Sequence, residues 1–199
     1  GDMDMRGTAQ KTAAILGQTV LERTTARSLI DRLVAIADRK PDSERMRARG
    51  WHVQMFEFRE KHVVEGLARR MRAASKLPEE QQNAAFNALQ THMLEAAKAH
   101  VDRVVLEAFI QGIEQCDDDY VTAMLVKVCD LYALATIESN RAWYLEHEVF
   151  DPRRSKAISA TVDDLCGELR PRARELAEGL GVPTEWLKHP REAVPPLLP

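Results

Sequence analysis

The stretch from Val121 to Ile137 limits the possible folds more than any other. Val121, Met124, Leu125, Val128, Leu131, Tyr132, Leu134, Ala135 and Ile137 leave it little polar surface at helical spacing. A helix that is apolar nearly all round belongs at the centre of a bundle, so the rest of the chain must supply helices to cover it. Asp117 to Asp119 lie just upstream, where a side-chain oxygen can accept from the first free N–H groups.

The other segments meet that demand. Ser43 and Glu44 open a second helix, with Phe56, Val63, Leu67 and Met71 on its apolar face. Leu77-Pro78-Glu79-Glu80 is a stop and restart, since proline suits a first helical turn and acids there complement the dipole. The third helix places Phe86, Leu89, Met93, Ala97, Val101, Val104 and Ala108 along one side and ends near Gly112 or Cys116. Asp151-Pro152 caps and opens a fifth helix carrying Ile158, Val162, Leu165 and Leu169. Pro171 kinks or splits it, Leu176 and Leu180 continue it, and Gly181 ends it. An opening helical region runs from Thr8 to Arg39 with a weak point at Thr24-Thr25, and Pro183 to Leu187 forms a last short turn. The expectation is an all-α, antiparallel bundle of about five long helices. It divides into an opening helical segment (1–40), a main bundle (41–187) and an irregular tail (188–199), forming one domain overall.

Composition narrows the function classes. The chain is 45% hydrophobic and 30% charged, the balance of a folded globular protein. A net charge of -3 gives no global attraction to nucleic acid or anionic membrane. Cys116, Cys129 and Cys166 form no Cys-x-x-Cys pair, which disfavours a zinc site or disulfide framework and fits a reducing cytoplasm. No uninterrupted apolar run approaches the ~20 residues of a membrane span. A chain that opens on Gly1 rather than Met reads as an excised piece or the remnant of a cleaved tag.

Several segments together resemble the C-terminal helical domain of the acyl-CoA oxidase family. Val128-Cys129-Asp130-Leu131-Tyr132-Ala133-Leu134 with Ile137-Glu138 is similar to that domain's central helix, and Trp143-Tyr144-Leu145-Glu146 continues the match. Leu165-Cys166-Gly167-Glu168-Leu169-Arg170-Pro171 resembles the family's Leu-Cys-x-x-Leu-Arg-Pro segment. Gly181-Val182-Pro183 with Trp186-Leu187 looks like its closing turn. Arg49-Gly50-Trp51-His52 and Met55 to Glu60 look like the actinobacterial branch. Arg172 departs from a frequent histidine, and Glu178-Gly179-Leu180 from the usual Asp-Ala-Phe.

The resemblance implies a parent enzyme that oxidises acyl-CoA to trans-2-enoyl-CoA on FAD, with dioxygen returning the flavin to its oxidised form and yielding hydrogen peroxide. It also implies partner domains and a homodimer. The family's catalytic glutamate sits in a Glu-Gly-(Glu/Asp)-Asn-Thr segment, which this sequence lacks. The chain is therefore expected to hold no catalytic, cofactor-binding or metal-binding residues, FAD belonging to the parent enzyme.

Each candidate site has a plainer alternative. His92, Glu95 and His100, with His52 and Glu57 as weak partners, are the best metal-like set, but the plainer reading is helix-surface residues. Cys129 reads as a small buried hydrophobe, and Cys166 likewise. The arginines 45, 47, 49, 69, 70 and 72 could meet CoA phosphates or a neighbouring domain, while nearby acids favour an ion-paired solvated face. Trp51, Phe56, Phe58, Trp143 and Tyr144 could form an interface patch, with Trp51, Phe58, Trp143 and Tyr144 the leading candidates, though core packing explains most of the five equally well. Ser75-Lys76-Leu77 matches a peroxisomal address only in letters, because that signal is read at a free C-terminus; a bacterial cytoplasm is expected. The functional expectation is a scaffolding and dimerising domain of an oxidase. The alternatives are a stand-alone helical interaction module and a metal-carboxylate bundle enzyme.

Overall fold

The computed structural model describes residues 24–38 and 42–182. Helix α1 spans Thr24–Asp38, the single turn α2 Asp42–Arg45 and the long helix α3 Arg49–Ala74. Helix α4 (Glu79–Asn87) leads into α5 (Gln90–Glu114), which is followed by α6 (Asp119–Ser139) and the short α7 (Arg141–Glu146). Helix α8 (Pro152–Leu169) passes through a 3-10 turn at Arg170–Arg172 into α9 (Ala173–Gly179). The described residues are all-helical, without strands. Their five longest helices, α1, α3, α5, α6 and α8, run 15, 26, 25, 21 and 18 residues.

Helix α3 is the hub and packs on α1, α5 and α6, while α6 packs in turn on α8. Rising numbers on α3 meet falling numbers on α5, because Arg49 reaches Glu114 and Glu60 reaches His100. The pair α6 and α8 is antiparallel by the same criterion, with Glu138 bonded to Ser159 and Lys127 to Glu168. At the α1–α3 crossing a Cβ on Gly50 would overlap the Leu33 carbonyl, so only glycine permits this approach. The core joins Ile30, Trp51, Phe56, Leu106, Ile110, Leu134, Ile137, Ile158 and Leu165.

The expected caps form. Asp118 accepts from the Val121 N–H at 3.0 Å and Asp151 from the Arg154 N–H at 2.8 Å, with Pro152 in the first turn of α8. Pro171 lies in the 3-10 turn, and Gly181 follows α9 with a φ of 63°. Three expectations are corrected. The segment at Ser43 makes only one turn, and α3 starts at Arg49. The expected third helix divides around Ala88–Leu89 into α4 and α5.

The third correction concerns which faces are buried. Helix α5 buries Ala96, Ala99, Arg103, Leu106, Ile110 and Ile113, whereas Ala97, Val101, Val104 and Ala108 of the expected apolar side lie outside. The physical reason is charge: α5 turns its ionic side to matching charges on α3. Helix α6 is likewise enclosed on one side, at Cys129, Asp130, Ala133, Leu134 and Ile137, while Leu131 is half-buried. By length and composition alone α6 could cross a membrane, but here Leu134 and Ile137 anchor the core and Lys127 pairs with Glu168. The turn expected at 183–187 and the tail at 188–199 lie outside the described residues.

Leu134→Ala is expected to cost ~2–5 kcal/mol, because a fully buried side chain leaves a cavity. Leu131→Ala should cost less than half of that. Arg47→Ala, which breaks an exposed pair with Glu168, should cost less than about 1 kcal/mol. Urea midpoints of the three variants check the order, and equal midpoints would refute a core at Leu134.

Candidate functional site

The centre of α3 carries Arg59 and Glu60, and both turn towards α5. Arg59 donates to Glu95 at 2.7 Å, and Glu60 meets the His100 Nδ1 at 2.7 Å. Glu60 also accepts from the Arg103 Nε, and a second Arg103 nitrogen pairs with Glu107 one turn along α5. Arg103 is 1% exposed, so its charge needs both carboxylates. Burial opposes that charge, but Glu107 and Glu60 outweigh it and hold the guanidinium above its ordinary pKa.

A second polar contact lies between α3 and α6. His52 is fully buried; its Nε2 donates to the Met46 carbonyl at 2.6 Å, and its Nδ1 lies 3.8 Å from the Asp130 carboxylate. Burial holds the ring down at about 4 despite the Met46 bond, and Arg49 adds to the effect. His52 is therefore neutral at pH 7. The neighbouring Cys129 thiol is pushed up to about 12 by burial and then by Asp130, so at neutral pH it is an unreactive thiol.

Around Trp143 the rings of Phe58, His62, Tyr144 and His147 gather. His147 stacks on Trp143 at 4.2 Å, and the Arg59 guanidinium lies 5.7 Å from the same ring. Desolvation, and then the neighbouring His147, lower the His62 pKa. Outside this framework, among the described residues, apolar surface is open on α5 and on α6. On α5 it is the outer face, with Leu94, Val101, Val104 and Val105 from 40% to 71% exposed. On α6 it is an open groove of about 390 Å³, lined by Val128, Leu131, Tyr132, Ala135, Thr136 and Ser139.

The expected site residues are scattered. His92 is exposed, Glu95 is engaged by Arg59 and His100 by Glu60, so the three do not converge. His52 faces Met46 and Asp130, two turns along α3 from Arg59. Cys129 is buried, but Cys166 is exposed because α8 buries Leu165 and Leu169 instead. Arg47 and Arg49 pair with Glu168 and Glu114, and Arg45 bonds the Ala37 carbonyl, while Arg69, Arg70 and Arg72 are exposed. Of the four interface aromatics, Trp51 and Tyr144 are core residues. Trp143 is half-buried, and only Phe58 is exposed.

A flavin does not fit the described residues. The cleft beside Arg59, between Phe56, Asp102 and Tyr144, has about 10 Å³, room for roughly one water. The α6 groove is one open wall with no glycine-lined backbone to meet phosphates.

The acyl-CoA oxidase family model matches residues 51–189, from the start of α3 to beyond α9. The chain belongs to the acyl-CoA oxidase family. It is 31% identical over 111 residues to an acyl-coenzyme A oxidase-like protein of Mus musculus, covering 56% of this chain and 18% of that protein. It is 28% identical over 140 residues to the peroxisomal acyl-coenzyme A oxidase 2 of Arabidopsis thaliana, covering 70% of this chain and 20% of that one. The chain thus spans about a fifth of the length of these relatives. A putative acyl-coenzyme A oxidase of Arabidopsis thaliana differs in scale: it is 28% identical over 152 residues, covering 73% of this chain and 76% of the relative. The crystal structure of acyl-CoA oxidase3 from Yarrowia lipolytica has the same fold, with a TM-score of 0.62 at 17% identity, covering 80% of this chain and 25% of that one. The expected all-helical oxidase domain is thereby established.

Sequence reasoning passed over the Arg59–Glu60–Arg103–Glu107 set and the His62–His147 pair. The spacing of Arg103 and Glu107 on one helix was a signal for the first. Nothing local announces the second, whose members lie on separate helices.

Arg103→Met leaves Glu60 and Glu107 facing each other without their cation and should cost about 3–5 kcal/mol. Arg174→Met, in an exposed pair with Glu178, should leave the denaturation midpoint in place. Similar losses in both would mean that the Arg103 charge is not buried.

Acid should also weaken the fold through His52. Its folded pKa of about 4 lies below the ordinary 6.5. Between these values the unfolded chain binds a proton that the folded chain excludes. Stability is therefore full above pH 6.5 and falls towards pH 4, by on the order of 3 kcal/mol. Urea midpoints across this window, with the His52 ring followed by NMR, test it; titration of His52 above pH 6 would contradict it.

Proposed function

We propose that this chain is the C-terminal helical domain of an FAD-dependent acyl-CoA oxidase, acting as a scaffold that packs on the flavin-binding domains and joins the dimer. The observation that carries this reading is the outer face of α5. Leu94, Val101, Val104 and Val105 form an apolar stripe along a helix whose ionic side is turned inward. Large apolar side chains gathered on one exposed helix face, here around Lys98, are the kind of surface that marks a contact with another body. The share of the relatives' length that the chain spans supports the same view, since four-fifths of those proteins lie elsewhere. FAD, held by the other domains of such a parent, would supply the two-electron oxidation of acyl-CoA to trans-2-enoyl-CoA, with dioxygen as the final acceptor. The present residues hold the fold, and three unpaired cysteines fit a cytoplasmic setting.

A second reading is a helical module that works without flavin domains. The putative Arabidopsis oxidase supports it, because the matched region fills 76% of that protein. The metal-carboxylate reading has little left, as Glu95 and His100 are engaged by Arg59 and Glu60.

The purified chain should carry no flavin absorption and release no peroxide from acyl-CoA; a yellow protein that does both would overturn the scaffold role. Sedimentation should show concentration-dependent association that the double variant Val101→Glu, Val104→Glu abolishes while its helix content stays the same. A strict monomer that binds no hydrophobic-surface dye would remove the covering role of α5.

A further inference from the structure

The rings around Trp143 place two histidines from different helices side by side. His62 stands on the exposed side of α3, and His147 caps the C-terminus of α7. Their ring centres are 4.4 Å apart with planes at 79°. We propose that His62 and His147 form a two-imidazole site for a divalent transition-metal ion of the zinc, nickel and copper class.

The chemistry of each ring supports this. His147 Nδ1 lies 2.8 Å from the Trp143 carbonyl, which can only accept, so the proton is on Nδ1 and the Nε2 lone pair is left free. An outer hydrogen bond of this kind is what commonly orients a metal-binding histidine. Stacking on Trp143 at 4.2 Å and 20° holds the same ring in place. His62 is exposed and, among the described residues, makes ring contacts but no hydrogen bond, so both of its nitrogens are available. Two imidazoles bound to one ion at zinc–nitrogen distances of ~2.0–2.1 Å have ring centres roughly 5 Å apart. The observed spacing is within reach of a side-chain adjustment at His62.

The backbone beyond His147 is a second, independent observation. Glu148 has a φ of 53°, the left-handed region that glycine usually fills at a helix end. The Glu148 N–H bonds the Leu145 carbonyl at 3.1 Å and the Val149 N–H bonds the Tyr144 carbonyl at 3.0 Å, closing the last turn under His147. A side chain other than glycine held there is the kind of local strain that gathers where a group must be positioned. Among the described residues no third His, Cys, Asp or Glu completes a three-ligand set, so water fills the remaining positions. Imidazole selects zinc, nickel and copper over magnesium, and copper should bind most tightly. A bound ion would clip the middle of α3 to the end of α7.

The test uses the full 199-residue chain. Copper or nickel bound at His147 sits within a few ångströms of the Trp143 indole. Titration should therefore quench tryptophan emission, zinc should raise the Tm, and magnesium should do neither. His62→Gln and His147→Gln should each weaken binding at least tenfold and abolish the Tm rise, whereas His92→Gln should change nothing. Circular dichroism confirms that each variant folds. Wild-type affinity in either the His62→Gln or the His147→Gln variant, or no response of the wild-type chain at about 1 mM ion, overturns the site.

Discussion

The contact between α3 and α5 sets the arrangement of the other helices. Arg103, Glu60, Glu107 and His100 meet where most bundles would place leucines, and Arg59 with Glu95 extends the set. Such charges add little net stability compared with a well-packed apolar interface, but mismatching them is expensive. Sliding α5 by one turn would leave the Arg103 guanidinium in the core without its carboxylates. The pairing therefore fixes both the register and the rotation of the two longest helices. With α3 held in this way, its opposite faces receive α1 at Gly50 and α6 at His52.

The sequence revealed punctuation more faithfully than orientation. Asp118, Asp151, Pro152, Pro171 and Gly181 act where they were expected to, because caps and breaks are local chemistry. Which side of α5 turns inward is not local. Periodicity finds an apolar stripe but cannot tell whether the same chain or another body covers it, so the side that carries Val101 and Val104 stands out in the sequence while Arg103 takes the buried place. Cys166 failed in the same way, since its apolar neighbours Leu165 and Leu169 reach the core and it does not. The His62–His147 pair was out of reach because 85 positions separate its members along the chain.

Membership of the acyl-CoA oxidase family gives the open surfaces a context. In relatives whose matched region is only about a fifth of their length, a helical domain of this kind is one part of a larger protein. Under the proposed scaffold role, the apolar groove on α6 and the stripe on α5 are the surfaces on which a companion domain would pack. The putative Arabidopsis relative poses a sharper question, since little of its length remains to cover those surfaces.

Helix α5 carries two messages in one stretch of sequence. Its inward letters, at 96, 99, 103, 106 and 110, specify how the bundle closes, and its outward letters, at 94, 101, 104 and 105, are free of that duty. The two sets interleave without sharing a residue. Drift in the outward set can therefore retune or erase an association while the bundle stays intact. A lineage could lose its companion domains and keep this fold simply by exchanging valines for lysines along one edge.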